Sequence, residues 1–212
     1  TSGMRGTGSH DVVVDGVFVP DAQTIAAADL RGDHPPGALL CDDPFVAFPF
    51  TPVLTVVAAA PALGGAEAAV DHYREYIKDR VLPYSPGDRQ VEQQASQIRL
   101  AEALATVHAA RLVWEHAIEQ VTATYRSGGS ISRNERGRLR LATAYTVRQS
   151  LHAVSIIVEG AGASVHFTDS DIGRIHRDLV TLKGHVVYDW DRAAQLAGKI
   201  EAGIDPLATD ML

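Results

Sequence analysis

The sequence is poor in cysteine: Cys41 is the one thiol in 212 residues. A lone cysteine excludes an intrachain disulfide, so stability has to come from packing, as in proteins of reducing compartments. Cations are in deficit as well, with 19 Lys and Arg against 26 Asp and Glu and a formal net charge of −7. That balance lacks the basic face that a phosphate backbone demands, and nucleic acid is not an expected partner. Aromatic residues make up only 6% of the chain, yet 46% is hydrophobic, which suffices for a sizeable core. The first residues do not read as a secretory leader, because a polar glycine run follows Arg5. A cytoplasmic protein is the expectation.

One apolar run is long. "FVAFPFTPVLTVVAAAPALGGAEAAV" (45–70) has the length to span a bilayer. Pro49, Pro52, Pro61 and the pair Gly64-Gly65 interrupt it, and no cationic cluster flanks it. A helix of small residues buried within protein accounts for it better, so no membrane partner is expected.

The glycine-rich opening, "GMRGTGSH" (3–10), has the residue types of a phosphate-cradling loop. Such a loop needs a strand before it and a helix N-terminus after it. Here it runs into "DVVVDGVFVP" (11–20), where Val12, Val14, Val17 and Val19 surround the turn signal Asp15-Gly16. That pattern predicts a strand or tight hairpin, with the glycines as a connection between strands.

Residues 1–20 therefore read as strand and residues 21–43, containing "GDHPPG", as a linker or ordered loop; residues 44–212 read as helix. The first predicted helix runs from about residue 44 to Asp79. The second runs from near Asp88 to Tyr125, with Val91, Ile98, Ala105, Leu112 and Ile118 close to heptad spacing. The third follows Ser132, which with Glu135 offers a capping box, and extends to about Glu159. The fourth starts at Ser170 or Asp171 and reaches about Ile204 before Pro206. The expected fold is mainly α: an antiparallel four-helix bundle preceded by a β-strand remnant. One hairpin is not stable alone in water, and the chain opens on Thr1, so it is expected to be the C-terminal part of a longer protein.

The fourth segment, "SDIGRIHRDLVTLKGHVVYDWDRA" (170–193), is the richest in chemistry. Its apolar seam is Ile172, Ile175, Leu179, Leu182 and Val186, and beside it run Arg174, Asp178, Thr181 and His185. Those polar residues are either the rim of a cavity or a solvated flank with an Arg174–Asp178 ion pair. "EGAGASVHF" (159–167) likewise reads as a close backbone approach to a ligand or as a plain helix stop. No metal is expected. His176 and His185 are nine residues apart, on opposite faces of one helix, and no Glu-x-x-His motif of the di-iron bundles occurs. No nucleophile elbow is present either.

Taken together, "GMRGTGSHDVVVDGVFVP", "EGAGAS" and "IGRIHRDL" resemble the C-terminal half of the acyl-CoA dehydrogenase superfamily. The resemblance implies a β-domain ending at residue 20, a four-helix bundle over residues 44–212, flavin between them, and a homotetramer formed through the helices. The dehydrogenases carry a base glutamate in a Tyr-Glu-Gly-Thr stretch; this chain has "KGHVVYDWD" (183–191) there, with His185 and no glutamate. In that respect it resembles the two-component flavin-dependent monooxygenases, the group of p-hydroxyphenylacetate hydroxylase and the steroid-ring phenol hydroxylases. The resemblance then implies reduced flavin (FMN or FAD) from a separate reductase, molecular oxygen, a flavin hydroperoxide, and an aromatic or other small organic substrate. It makes His185 the catalytic histidine, with Asp178 orienting neighbours through Arg174 or Arg177. It places Gly160, Gly162 and Ser164 near the flavin phosphate, and Arg99 near flavin across a subunit interface. The rival readings are an acyl-CoA dehydrogenase with Glu159 as substitute base, and a bundle that only oligomerises. Residues 1–212 alone are expected to bind flavin weakly and to be inactive.

Overall fold

The computed structural model describes residues 2–31, 35–85, 87–205, 207 and 210. Among them the regular structure is helical: α1 (Ala27–Arg31), α2 (Phe50–Ala58), α3 (Ala60–Asp79), α4 (Gln94–Arg126), α5 (Arg133–Ala161), α6 (Asp171–Leu182) and α7 (Trp190–Glu201). Helix α5 is the axis of the molecule, since α2, α3, α4, α6 and α7 all pack on it. Its start is fixed by the capping box: Ser132 Oγ accepts from Glu135 N–H at 3.3 Å, and Glu135 Oε2 accepts from Ser132 N–H at 2.6 Å. Enclosed on several sides, α5 still carries Thr143, Thr146 and Ser150 in full burial. Each hydroxyl donates to the carbonyl four residues back, at 2.9, 2.8 and 2.8 Å, so burial leaves none of the three unsatisfied.

The long apolar run is two helices. Pro61 has no N–H to give to Val57, so the ladder breaks at Ala59 and α3 starts anew with proline in its first turn. Phe50–Asp79 is long and apolar enough to cross a membrane by length and composition, an 18-residue window within it having a mean hydropathy of 1.7. Its buried side is nonetheless a core face: Ala62, Leu63, Ala66, Ala69, Val70, Tyr73 and Ile77 pack inside the protein. A second cluster gathers Phe48, Val56, Ala117, Val121, Ile131 and Leu139, and Trp114 Nε1–H donates to the Val56 carbonyl at 2.8 Å.

Three expectations need correction. No strand or hairpin forms over residues 2–20; Asp11–Pro20 are exposed and unpaired, and the only β-bridge among the described residues joins Val81 to Arg89. Strands need a partner, and nothing among the described residues offers Val12, Val14 or Val17 a sheet edge. Residues 21–43, read as a linker or ordered loop, hold α1 and two 3-10 turns, Asp21–Gln23 and Pro36–Leu39; residues 32–34 of "GDHPPG" lie outside the described residues. The seam of α4 is Ala103, Val107, Ala110, Ala117 and Val121, while Ile98 and Leu112 are 64% and 54% exposed. Close helix packing selects the small side chains and turns the large ones outward. The fourth helix is two helices, α6 and α7, joined by turns over 183–189.

Candidate functional site

Two groups of the expected residues gather at two places. The first is the C-terminal end of α5. Gly160 there has no room for a side chain: a Cβ would lie 2.4 Å from Tyr73 Oη and 2.9 Å from Arg99 Cδ. Gly162, at φ +75°, ends the helix in a conformation that favours glycine, with Arg80 Nη2 at 3.0 Å from where a Cβ would stand. Arg80 donates to the Ala161 carbonyl and to the Tyr76 hydroxyl, and Ser164 Oγ lies 2.7 Å from that same hydroxyl. A cation at the carbonyl end of a long helix is the favourable placement. Gln90 Nε2 donates to the Gly160 carbonyl at 2.7 Å. Arg99, Gly160, Gly162 and Ser164 thus lie in one neighbourhood of this chain.

Beside this end, α4 and α5 enclose a cleft of about 430 Å³ whose polar lining includes Arg99, Glu102, His152, Ser155 and Glu159. Glu159 therefore sits on the same cleft as Arg99 and away from α6's C-terminus. His176 of α6 is half-buried, with Nε2 3.5 Å from Ser155 Oγ. Burial holds its pKa below the ordinary histidine value, and His166 and Arg177 add to the effect. Tyr73 Oη and Gln90 Oε1, both buried and both flanking Gly160, have no hydrogen-bond partner among the described residues. The helix ends here on its electronegative carbonyl side, the space beside both glycines is filled by Tyr73, Arg99 and Arg80, and the guanidinium groups of Arg80 and Arg99 supply the local positive charge.

The second place is the end of α6. The apolar seam holds for Ile172, Ile175 and Leu179, which are buried. Helix α6 stops at Leu182, where Lys183 and Gly184 N–H groups cap the Leu179 and Thr181 carbonyls. His185 is therefore in a turn and exposed, not on a helix face one turn beyond Thr181. Its Nδ1 accepts the Val187 N–H at 3.3 Å, and its ring centre is 5.8 Å from that of Tyr188. An acceptor at Nδ1 places the proton of the neutral ring on Nε2, which makes Nε2–H a donor. Burial pushes the Tyr188 phenol above its ordinary pKa. Asp178 is half-buried: Oδ2 lies 3.9 Å from Arg174, and Oδ1 accepts the Met4 backbone N–H at 2.6 Å. The expected Arg174 contact is present but loose, Arg177 turns instead towards the Thr168 carbonyl at 3.5 Å, and the stronger partner is one not foreseen.

Arg80, Tyr73, Tyr76 and Gln90 were not foreseen as neighbours of the glycine run either. They lie about 70 to 90 positions away in the chain, and nothing local marks them.

The family described as "Acyl-CoA dehydrogenase, C-terminal domain" matches residues 56–190. The pigment production hydroxylase of a Rhodococcus species is 32% identical over 97% of this chain and 53% of its own length. The flavin-dependent monooxygenase oxygenase subunit HsaA of Mycobacterium tuberculosis is 28% identical over 96% of this chain and 52% of its own. The crystal structure of the M. tuberculosis HsaA monooxygenase superposes with a TM-score of 0.87 at 26% identity, over all of this chain and 54% of that one. The structure of XiaF from Streptomyces, in complex with FADH2 and glycerol, gives a TM-score of 0.90 at 24% identity over 99% of this chain and 53% of that one, a likeness of fold. The chain spans about half the length of the relatives it matches.

Proposed function

This chain belongs to the acyl-CoA dehydrogenase C-terminal domain family, and from that premise we propose that it is the C-terminal part of a reduced-flavin-dependent monooxygenase. The enzyme hydroxylates an aromatic or other small organic substrate. The observation that carries the reading is the kind of relative found: proteins that match 96–97% of the chain are a hydroxylase and a flavin-dependent oxygenase subunit. The dehydrogenase alternative lacks the glutamate that the resemblance calls for as its base, since residues 183–191 contain His185 and no glutamate.

In this reading residues 1–20 close a β-domain, residues 21–43 link it to the helices, and α3, α4, α5 and the α6–α7 pair make up a four-helix bundle. Gly160, Gly162 and Ser164 would lie by the phosphate of the flavin, FMN or FAD, and Arg99 would approach a flavin across the subunit interface. Reduced flavin, delivered by a separate reductase, supplies the two electrons with which molecular oxygen yields a hydroxylated product and water. His185 presents Nε2–H to the substrate's oxygen, orienting a phenol and stabilising its phenolate by a hydrogen bond. Its exposure at the end of α6 is the side on which a further domain would close over it. The exposed apolar side chains of α4, Ile98, Leu104 and Leu112, support a homotetramer built through the helices. The enzyme works in the cytoplasm.

The full-length protein, given reduced flavin and oxygen, should hydroxylate phenols and should fail to reduce a dye with an acyl-CoA. His185→Ala should lower hydroxylation by about 10²- to 10⁴-fold while reduced flavin still binds and hydrogen peroxide replaces product. Near wild-type rate and coupling in that variant would remove His185 from the active site. Dye reduction by an acyl thioester would overturn the monooxygenase reading.

A further inference from the structure

Met4 is the only non-glycine residue with positive φ among the described residues, at 54°. An L-residue enters that region at a cost, and such outliers persist where the surroundings hold them. Two contacts hold this one. The Met4 N–H donates to Asp178 Oδ1 at 2.6 Å. Gly3, buried just before it, lies so close to α6 that a Cβ would be 2.1 Å from the Arg177 carbonyl oxygen and 2.7 Å from Thr181 Oγ1. That surface is itself fixed, because Thr181 Oγ1 donates to the Arg177 carbonyl at 3.0 Å. The turn then closes on itself: Thr7 N–H and Oγ1 both donate to the Met4 carbonyl, at 3.3 and 2.9 Å, and Thr7 Oγ1 lies 3.2 Å from Ser9 Oγ.

We propose that Asp178 is a positioning residue that clamps the glycine turn 3–7 to the last turns of α6, beside the segment that carries His185. Oδ1 is committed to the Met4 N–H, while Oδ2 faces Arg174 across a loose 3.9 Å. The engaged oxygen holds a backbone in place. The glycines of the opening thereby acquire a reason: Gly3 permits contact with α6 that any side chain would block. That the clamped turn serves catalysis rests on the reading of His185 given above; the clamp itself does not.

The test uses the full-length protein and amide hydrogen exchange of residues 3–9, with tryptic cleavage after the exposed Arg5 as a second readout. Losing a hydrogen bond to a charged acceptor should raise exchange and cleavage about tenfold in Asp178→Ala. Asp178→Asn keeps an acceptor oxygen and should restore most of the protection. Gly3→Ala, on the other side of the contact, should open the turn as Asp178→Ala does. In activity, Asp178→Ala should lose coupling, Asp178→Asn should regain it, and the pH profile should keep its shape in both. Unchanged exchange in Asp178→Ala and Gly3→Ala would overturn the clamp. So would an Asp178→Asn enzyme as impaired as Asp178→Ala and lacking one limb of the pH profile, since the carboxylate would then be handling a proton. Altered exchange in a protein that hydroxylates nothing would uphold the clamp and refute the function.

Discussion

Replacing Gly160 by alanine should destabilise the protein, although alanine is the better helix former by about 1 kcal/mol. The added Cβ would stand 2.4 Å from Tyr73 Oη and 3.1 Å from Tyr73 Cζ. Arg99, the other neighbour, is long and half-exposed and can move aside. Tyr73 is fully buried between α3 and α5 and cannot. Overpacking a closed core costs about 1–3 kcal/mol, and an overlap of this depth belongs at the upper end. Subtracting the propensity gain leaves a net loss of about 2 kcal/mol, a fall in Tm of about 4–8 °C for a chain of this size.

The same geometry makes a second claim that separates this cause from a general intolerance of the site. Tyr73 Oη has no hydrogen-bond partner among the described residues, so Tyr73→Phe removes a buried, unsatisfied hydroxyl and should be neutral or stabilising. It also removes the atom nearest the new Cβ. In the Tyr73→Phe background Gly160→Ala should therefore be close to neutral, a coupling of about 2 kcal/mol in the double-mutant cycle. The four proteins need only their urea or thermal midpoints measured. Additivity within about 0.5 kcal/mol, or a clear loss of stability in Tyr73→Phe alone, would refute the reasoning.

Ser132→Ala should cost about 1 kcal/mol by undoing the cap of α5, read as a lower unfolding midpoint. Trp114→Phe removes the Nε1–H bond to the Val56 carbonyl, leaving it only the longer Ala59 N–H bond at 3.4 Å at the α2–α3 break, and should cost about 1 kcal/mol. The depressed pKa of His176 gives a pH dependence with a definite sign. As pH falls below about 6.5 the unfolded chain takes up a proton that the folded site resists, so stability drops on the acid side, and His176→Gln should flatten that drop in midpoints measured from pH 7.5 to 5. Residues 1–212 alone should bind flavin mononucleotide only at micromolar concentrations or above, because the resemblance puts the other flavin contacts upstream; submicromolar binding in a titration would contradict this.

Where local chemistry decides, the sequence reads well. The start of α5 needs only Ser132 and Glu135, three residues apart, and the cap forms as expected. The α6 seam of Ile172, Ile175 and Leu179 is buried as its spacing requires. Where packing decides, it reads poorly. On α4 the larger apolar residues Ile98 and Leu112 outweigh alanine in any hydrophobic pattern. The interface with α5 and α3 nevertheless takes Ala103, Val107, Ala110 and Ala117, because a close helix crossing rewards small side chains. The valines of residues 11–20 show the same limit from the other direction: their pattern suits a strand, but a strand exists only where another pairs with it.

The site depends on a break that periodicity alone conceals. Apolar spacing carries on from Leu182 to Val186, which favours one long helix, whereas Gly184 and the N-cap Asp189 are the punctuation of a stop and a restart. Asp189 Oδ1 accepts the Arg192 N–H at 3.1 Å, so the restart costs no unsatisfied donor there. It also frees α7 to lay Ala193, Leu196, Ala197 and Ile200 against α5, with Ile200 Cδ1 only 2.5 Å from where a Cβ on Gly137 would be. Burial of that face outweighs the few helical hydrogen bonds lost in the turn. His185 falls inside the break as a consequence. An unbroken helix would have committed its backbone to helical bonds and left Nδ1 without the Val187 N–H. The turn supplies that donor and so fixes which ring nitrogen faces outward as a donor. The chemistry proposed for His185 therefore follows from the packing of α7 on α5, an interaction between segments that no local pattern around residue 185 records.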